Sequence, residues 1–411
     1  MKKIVFIVIG LCISISAFVQ VDNKIVIGTV DSVQSKILNE KRKVWVYVPN
    51  SGPGGLFNPV RYPVVYLLDG DAHFYSVVGM IQQLSQVNGN TICPQMIVVG
   101  IPNTNRTRDL TPTKSEPDPP YAPEGLVNIS GGGEQFMSFI EKELIPHIDS
   151  TYPTEPFRML IGHSFGGLTV MNAVINHPKL FNAYICLDPS MWWNKTKFLK
   201  TVESSLSGKD FSGKTLYLGI ANTMGDGMDI EKVKSDTTLD TRHIRSILDM
   251  DSYIKSSKPK GLRYASKYYG NDDHGSVPLI AEYDALRFIF EKYRFKLVPQ
   301  YFFDSTINLA AIVQKHYDEN VSSIFGYKVL PPESFVNTFG YQLMQEKQFK
   351  KAGDFFKMNV ENYPNSYNVY DSYGDYFTAI NNKEKAIENY KKSLSVKETP
   401  GTRKKLDELI K

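Results

Sequence analysis

At 411 residues the chain exceeds what a single hydrophobic core usually organises and has room for one large domain and a smaller companion. Hydrophobic residues at 42% and charged residues at 22% are ordinary globular usage, which excludes a disordered tail or a fibrous repeat. The formal charge of +4 falls to +2 once Lys2 and Lys3 are set aside, and that near-balance excludes nucleic-acid binding through a basic surface.

The chain begins as secretory signal peptides do: Lys2 and Lys3, an apolar run from Ile4 to Ile15, and the small residues Ser14, Ser16 and Ala17 about its end. The run is shorter than the roughly 20 apolar residues that span a bilayer, so residues 1–20 are expected to direct export to the periplasm or beyond rather than to form a stable anchor. Cys12 follows Leu11, where lipidation would require a small residue. Beyond this segment only Cys93 and Cys186 remain. Each borders an apolar run and reads as a buried free thiol, although an exported chain could pair them.

From Lys24 to about Phe295, short apolar runs alternate with longer amphipathic stretches. Strands are predicted at Val44–Val48, Val64–Leu68, Met96–Ile101, Met159–Gly162, Ala183–Leu187, Thr215–Ile220 and Leu262–Tyr268. Their uniform apolarity suits strands buried on both faces. Helical periodicity marks Glu134–Asp149, Gly167–Asn176, Thr241–Ile254 and Leu279–Tyr293. The pattern is an α/β domain, doubly wound around a mostly parallel sheet, over residues 21–297.

Residues 162–167 read Gly-His-Ser-Phe-Gly-Gly between a predicted strand and a predicted helix, the setting of a nucleophilic serine on a tight turn. Ser164 is the expected nucleophile, with Gly162 and Gly166 small enough to let the turn close. A serine hydroxyl needs a base, and the chain order serine, acid, histidine selects His274 in the polar loop after the last predicted strand. His177 lies too close to the nucleophile along the chain, and His243 falls within a predicted helix. The orienting carboxylate is expected after Thr215–Ile220, with Asp226 first, Asp229 second and Glu231 third. The Phe165 N–H and a second donor near Asp69-Gly70-Asp71, taken as Gly70, are the expected oxyanion hole. This chemistry calls for no metal and no organic cofactor.

After about Leu297 strands become scarce and a 34-residue spacing appears, pairing Phe339 with Tyr373, Gly340 with Gly374, Ala352 with Ala386 and Phe356 with Tyr390. Glycine lets one helix approach its neighbour while alanine and an aromatic four residues on line the second, a pattern that resembles the tetratricopeptide repeat. Residues 298–411 are therefore expected to form a small all-α helical-repeat domain, a surface for a protein partner or for self-association.

Five segments together carry a wider resemblance: 67–74 (Leu-Leu-Asp-Gly-Asp-Ala-His-Phe), 105–112 (Asn-Arg-Thr-Arg-Asp-Leu-Thr-Pro), 162–167, 189–193 (Pro-Ser-Met-Trp-Trp) and 273–276 (Asp-His-Gly-Ser). Residues 25–295 resemble the α/β-hydrolase family of esterases that includes ferric-siderophore, esterase D-type, feruloyl and acetylxylan esterases. The resemblance implies a serine esterase acting on a small-molecule ester such as a siderophore triester or an acylated sugar. Arg106 or Arg108 would then receive an anionic or catechol-bearing acyl group and Trp192 or Trp193 would wall the pocket. An ion pair with Asp109 and simple core packing are the competing structural readings of these arginines and tryptophans. Acyl transfer to an alcohol, or a non-catalytic scaffold whose helical repeats bind a partner, are the alternative functions.

Overall fold

A computed structural model of the chain describes residues 23–50 and 60–411, so the signal-like segment lies outside the described residues. Eight strands form one sheet: β1 (Thr29–Ser35), β2 (Glu40–Tyr47), β3 (Tyr62–Leu68), β4 (Ile97–Ile101), β5 (Thr154–His163), β6 (Ala183–Leu187), β7 (Lys214–Ala221) and β8 (Leu262–Tyr269). Their spatial order is β1-β2-β4-β3-β5-β6-β7-β8. The first two strands pair antiparallel and all others run parallel, which puts the carboxyl ends of β3 to β8 on one edge.

Every residue of β3, β4 and β6 is buried, because alternate side chains enter cores on opposite faces. Val64, Tyr66 and Leu68 face one core, while Val65 and Leu67 face the other. Helices α1 (Gly70–Ser85) and α5 (Val277–Ile289) contribute to the second core. Helices α3 (Phe165–Asn176) and α4 (Arg242–Ser257) contribute to the first, and the short α2 (Arg106–Leu110) adds Leu110 to it. The predicted helix at 134–149 runs from 133 to 151 with a π-helical turn at Ile140–Leu144. Strand β1 was not legible as a strand: it is an edge hairpin partner in which only Val33 and Ser35 are buried, so its residues carry no continuous apolar signal. Cys93 and Cys186 are both free and buried. Among the described residues no helix is long and apolar enough to cross a membrane.

The carboxyl-terminal region is helical: α6 (Leu309–His316), α7 (Glu333–Gln345), α8 (Phe349–Asn362), α9 (Tyr367–Ala379), α10 (Lys383–Val396) and α11 (Pro400–Ile410). The 34-residue spacing has a physical counterpart. A methyl group added at Gly340 would lie 2.8 Å from the Phe356 ring, and one at Gly374 would lie 2.4 Å from the Tyr390 ring. The turns match as well: Gln348 N–H donates to Leu343 C=O at 2.8 Å, and Asn382 N–H donates to Phe377 C=O at 2.8 Å. Each closes a left-handed helix end, at Lys347 (φ 60°) and Asn381 (φ 59°).

This region is fastened to the sheet domain through Val321 and Phe325, which enter the second core. The Phe325 ring lies 5.1 Å from that of Phe157 on β5. Phe157 precedes Ser164 by about 23 Å of extended strand. The helical region is thus attached near the amino-terminal edge of the sheet, away from the strand ends that carry the candidate site.

Candidate active site

Three neighbouring strands, β3, β5 and β6, each run into a non-glycine residue of left-handed backbone: Asp69 (φ 51°), Ser164 (φ 60°) and Asp188 (φ 38°). Such residues are uncommon and persist only where the surroundings hold them. At Ser164 the hold is visible. Its N–H donates to Leu187 C=O at 3.0 Å, and its own C=O accepts from Ser190 N–H at 3.2 Å. A methyl at Gly162 would sit 2.4 Å from Gly166 C=O, so the turn closes only with glycine there. Ser164 Oγ lies 3.3 Å from Ser190 Oγ.

His274 stands in the loop after β8. Its Nδ1 is 2.5 Å from Asp188 Oδ2, a fully buried oxygen that also receives His243 Nε2 at 2.8 Å. Asp188 Oδ1 accepts the Ala221 N–H at 2.9 Å. Burial alone would push the Asp188 carboxyl up, but the hydrogen bonds from His243, His274 and Ala221 outweigh it and hold the group well below the usual carboxylate range. An ionised carboxylate only accepts, so both imidazoles donate to it, and of the two neutral tautomers of His274 the one this selects carries its lone pair on Nε2. One carboxylate and two imidazoles also form the donor set of many metal sites. Here, however, the nitrogens approach the oxygen at hydrogen-bond lengths, shorter than the roughly 3.3 Å between neighbouring ligands around an ion such as zinc.

The ring of His163 lies 4.4 Å from that of His274. Burial, followed by the nearness of His274, pushes His163 down to about 4, so it adds an uncharged wall at neutral pH.

The expected acid, Asp226, is an exposed residue of the loop following β7 and makes no hydrogen bond to His274. Asp229 instead caps the helix Ile230–Ser235 through Lys232 N–H at 2.9 Å, and Glu231 pairs with Lys234. The carboxylate against His274 follows β6, one strand earlier than expected. Its signal was a lone Asp after the wholly apolar Ala-Tyr-Ile-Cys-Leu, on the strand beside the one that carries the serine. His243, passed over for lying in a helix, does lie in one, but at its second residue, facing the sheet edge.

Phe165 and Gly70 are the first residues of α3 and α1, so their N–H groups have no intrahelical carbonyl to meet. The turn bearing Gly70 is braced by Asp69. Arg106 donates to it through Nε at 2.7 Å and Nη2 at 2.9 Å, and Asn103 adds a third bond at 2.7 Å. Arg106 Nη2 also reaches His163 C=O at 3.3 Å, and its guanidinium lies 5.4 Å from the Phe165 ring centre, so one side chain ties the two turns together. Arg108 is occupied elsewhere, paired with Asp109 and Glu40, which also hold the buried Arg42. Trp192 is buried against Tyr121, Phe165 and Trp193, and Trp193 Nε1 donates to Thr113 C=O at 3.0 Å.

A mostly parallel sheet in this strand order, with a serine on the turn from β5 into α3, is the α/β-hydrolase fold. The family model described as "Putative esterase" matches residues 35–241, and the chain belongs to that family. The ferri-bacillibactin esterase BesA of Bacillus subtilis is 32% identical over 178 residues, 41% of this chain and 61% of that protein, so the chain spans about three-fifths of its length. Among solved structures, an IroE-like serine hydrolase from Shewanella oneidensis is 30% identical, with a TM-score of 0.68 over 81% of this chain and 99% of the other. An uncharacterised protein from Capnocytophaga ochracea, 17% identical with a TM-score of 0.57, is matched over 93% of this chain and 99% of the other, so the likeness of fold extends into the helical region.

Proposed function

We propose that the chain hydrolyses carboxylic esters through an acyl-enzyme on Ser164, with His274 as general base and acid and Asp188 orienting His274. One observation carries the reading: His274 Nδ1 is bonded to a buried carboxylate, which fixes the tautomer whose Nε2 can take a proton, and its ring lies 4.4 Å from that of His163, the residue before the serine on its strained turn. Attack requires Ser164 Oγ to exchange its contact with Ser190 Oγ for His274 Nε2. The oxyanion then meets the Phe165 and Gly70 N–H groups. His274 protonates the leaving alcohol, and water activated by the same imidazole releases the acid.

Siderophore esters are the substrate class we favour, because BesA is named for such an ester. Of the two arginines, Arg106 is the one facing the nucleophile turn, while the Arg108 nitrogens are all directed to carboxylates. Trp192 would form the apolar wall. The basic start and apolar run at the amino terminus support export, and attachment of the helical region at the far edge of the sheet supports a partner or self-association surface rather than a cap over the substrate.

Hydrolysis of a short-chain p-nitrophenyl ester by the full chain tests the chemistry. Ser164→Ala and His274→Ala are each expected to lower kcat by about 10³-fold or more. Undiminished hydrolysis by the Ser164→Ala variant would overturn the proposal.

A further inference from the structure

Resting on the reading of Ser164, His274 and Asp188 above, we propose that His243 is a positioning residue for ester hydrolysis: by sharing Asp188 Oδ2 with His274 it holds the carboxylate in place and sets how much negative charge His274 receives.

The geometry requires a second donor. Asp188 is completely buried and its side chain has three hydrogen-bond donors: the Ala221 N–H on Oδ1, and the His243 and His274 imidazoles on Oδ2. Only the bond to His274 serves proton transfer. The Ala221 bond fixes Oδ1, and the His243 bond at 2.8 Å holds Oδ2 from a helix, independently of the mobile partner His274 becomes as it passes its proton. The His243 ring stands at 89° to that of His274 with 5.1 Å between centres, so the two imidazoles reach Oδ2 from different directions.

The start of α4 is built to hold His243 there. Ile244, Ile247 and Met250 of that helix are buried in the core. Arg242, the residue before His243, is tied to Asp118 at 2.5 Å and lies 4.6 Å over the Tyr121 ring, which in turn packs 4.9 Å from Trp192. The helix start is thus joined to the wall of the candidate pocket.

The groups facing His243 are Asp188 from the end of β6 and His274 from the loop after β8, with His163 beyond His274; Arg242 on its own helix is taken up by Asp118. The His243 Nε2–H donates to Asp188 Oδ2 and takes up part of the charge on that oxygen. Removing that bond leaves the charge concentrated on Oδ2, which strengthens its hold on a protonated His274. His274 then gives up its proton at higher pH, and the acidic limb of the rate profile moves the same way. His243→Gln keeps a donor at the position of Nε2, whereas His243→Asn is too short to reach.

The test is the pH dependence of p-nitrophenyl ester hydrolysis by the full chain, comparing the parent with Ser164→Ala, His243→Ala, His243→Gln and His243→Asn. With Ser164→Ala at background, His243→Ala and His243→Asn should lower kcat by about 10- to 100-fold with little change in KM, and should move the acidic limb to higher pH. His243→Gln should restore kcat to within about fivefold and return the limb to its parental place. Should the alanine variant not fold, the glutamine and asparagine variants alone give the same comparison. Parental kcat and limb in His243→Asn overturn the role of His243 while leaving the serine reading intact, and so does a loss of kcat with an unmoved limb and no rescue by glutamine. Activity surviving Ser164→Ala overturns both.

Discussion

The carboxyl edge of the sheet and the stack of helical hairpins both contain non-glycine residues in left-handed backbone, and hold them by different means. At the sheet edge Asp69 and Asp188 are bound by charge-assisted hydrogen bonds, Arg106 to Asp69 and His243 and His274 to Asp188, and the Ser164 turn between them is held by backbone bonds to Leu187 and Ser190. In the hairpins, Lys347 and Asn381 close helix ends through backbone bonds while Phe356 and Tyr390 fill the notches left by Gly340 and Gly374. Strain held by directed bonds can be aimed at a reacting atom, whereas strain held by packing supports only the shape of the stack.

The comparison predicts effects of opposite kind in the two regions. Arg106→Lys keeps the charge but loses the two-pronged bond to Asp69 that ties the Gly70 turn to the Ser164 turn. Its kcat for ester hydrolysis should fall about 10-fold with the Tm nearly unchanged, since the stacked helices and both cores are untouched. Comparable in free energy but felt in stability alone, Gly374→Ala forces a methyl group against the Tyr390 ring and should cost about 1 to 2 kcal/mol of stability with kcat at low temperature unaltered. Thermal unfolding followed by circular dichroism, alongside kinetics, reads both. A kcat loss in Gly374→Ala, or a Tm loss without kcat loss in Arg106→Lys, would break the comparison.

The same contrast explains how far the sequence could be read. The strand-turn-helix setting of Ser164 was legible because its requirements are local: two close glycines around Ser164, a buried strand before it and a helix after it. The hairpins were legible because each repeats its contacts after 34 residues, so Gly340 with Phe356 and Gly374 with Tyr390 reinforce one another. The carboxylate against His274 was not, because Asp188 meets it across 86 residues and no local pattern records that meeting. Placing the acid after β7 by analogy of strand position selected Asp226, an exposed residue, where burial would have selected the Asp that ends an apolar strand. His243 was set aside because helical periodicity tells which face is buried and not what the first turn points toward. Strand β1 escaped notice because an edge strand needs little apolar surface.

The proposed mechanism requires Asp188, acting on His274, to complete the machinery around Ser164. It is tested most directly by the kcat for p-nitrophenyl ester hydrolysis of Asp188→Asn beside Asp226→Asn. An amide at 188 turns an N–H toward His274 and favours the wrong tautomer, so Asp188→Asn should lose about 10³- to 10⁴-fold while Asp226→Asn stays within about twofold of the parent. A parental rate in Asp188→Asn, with the loss appearing in Asp226→Asn instead, would contradict the account.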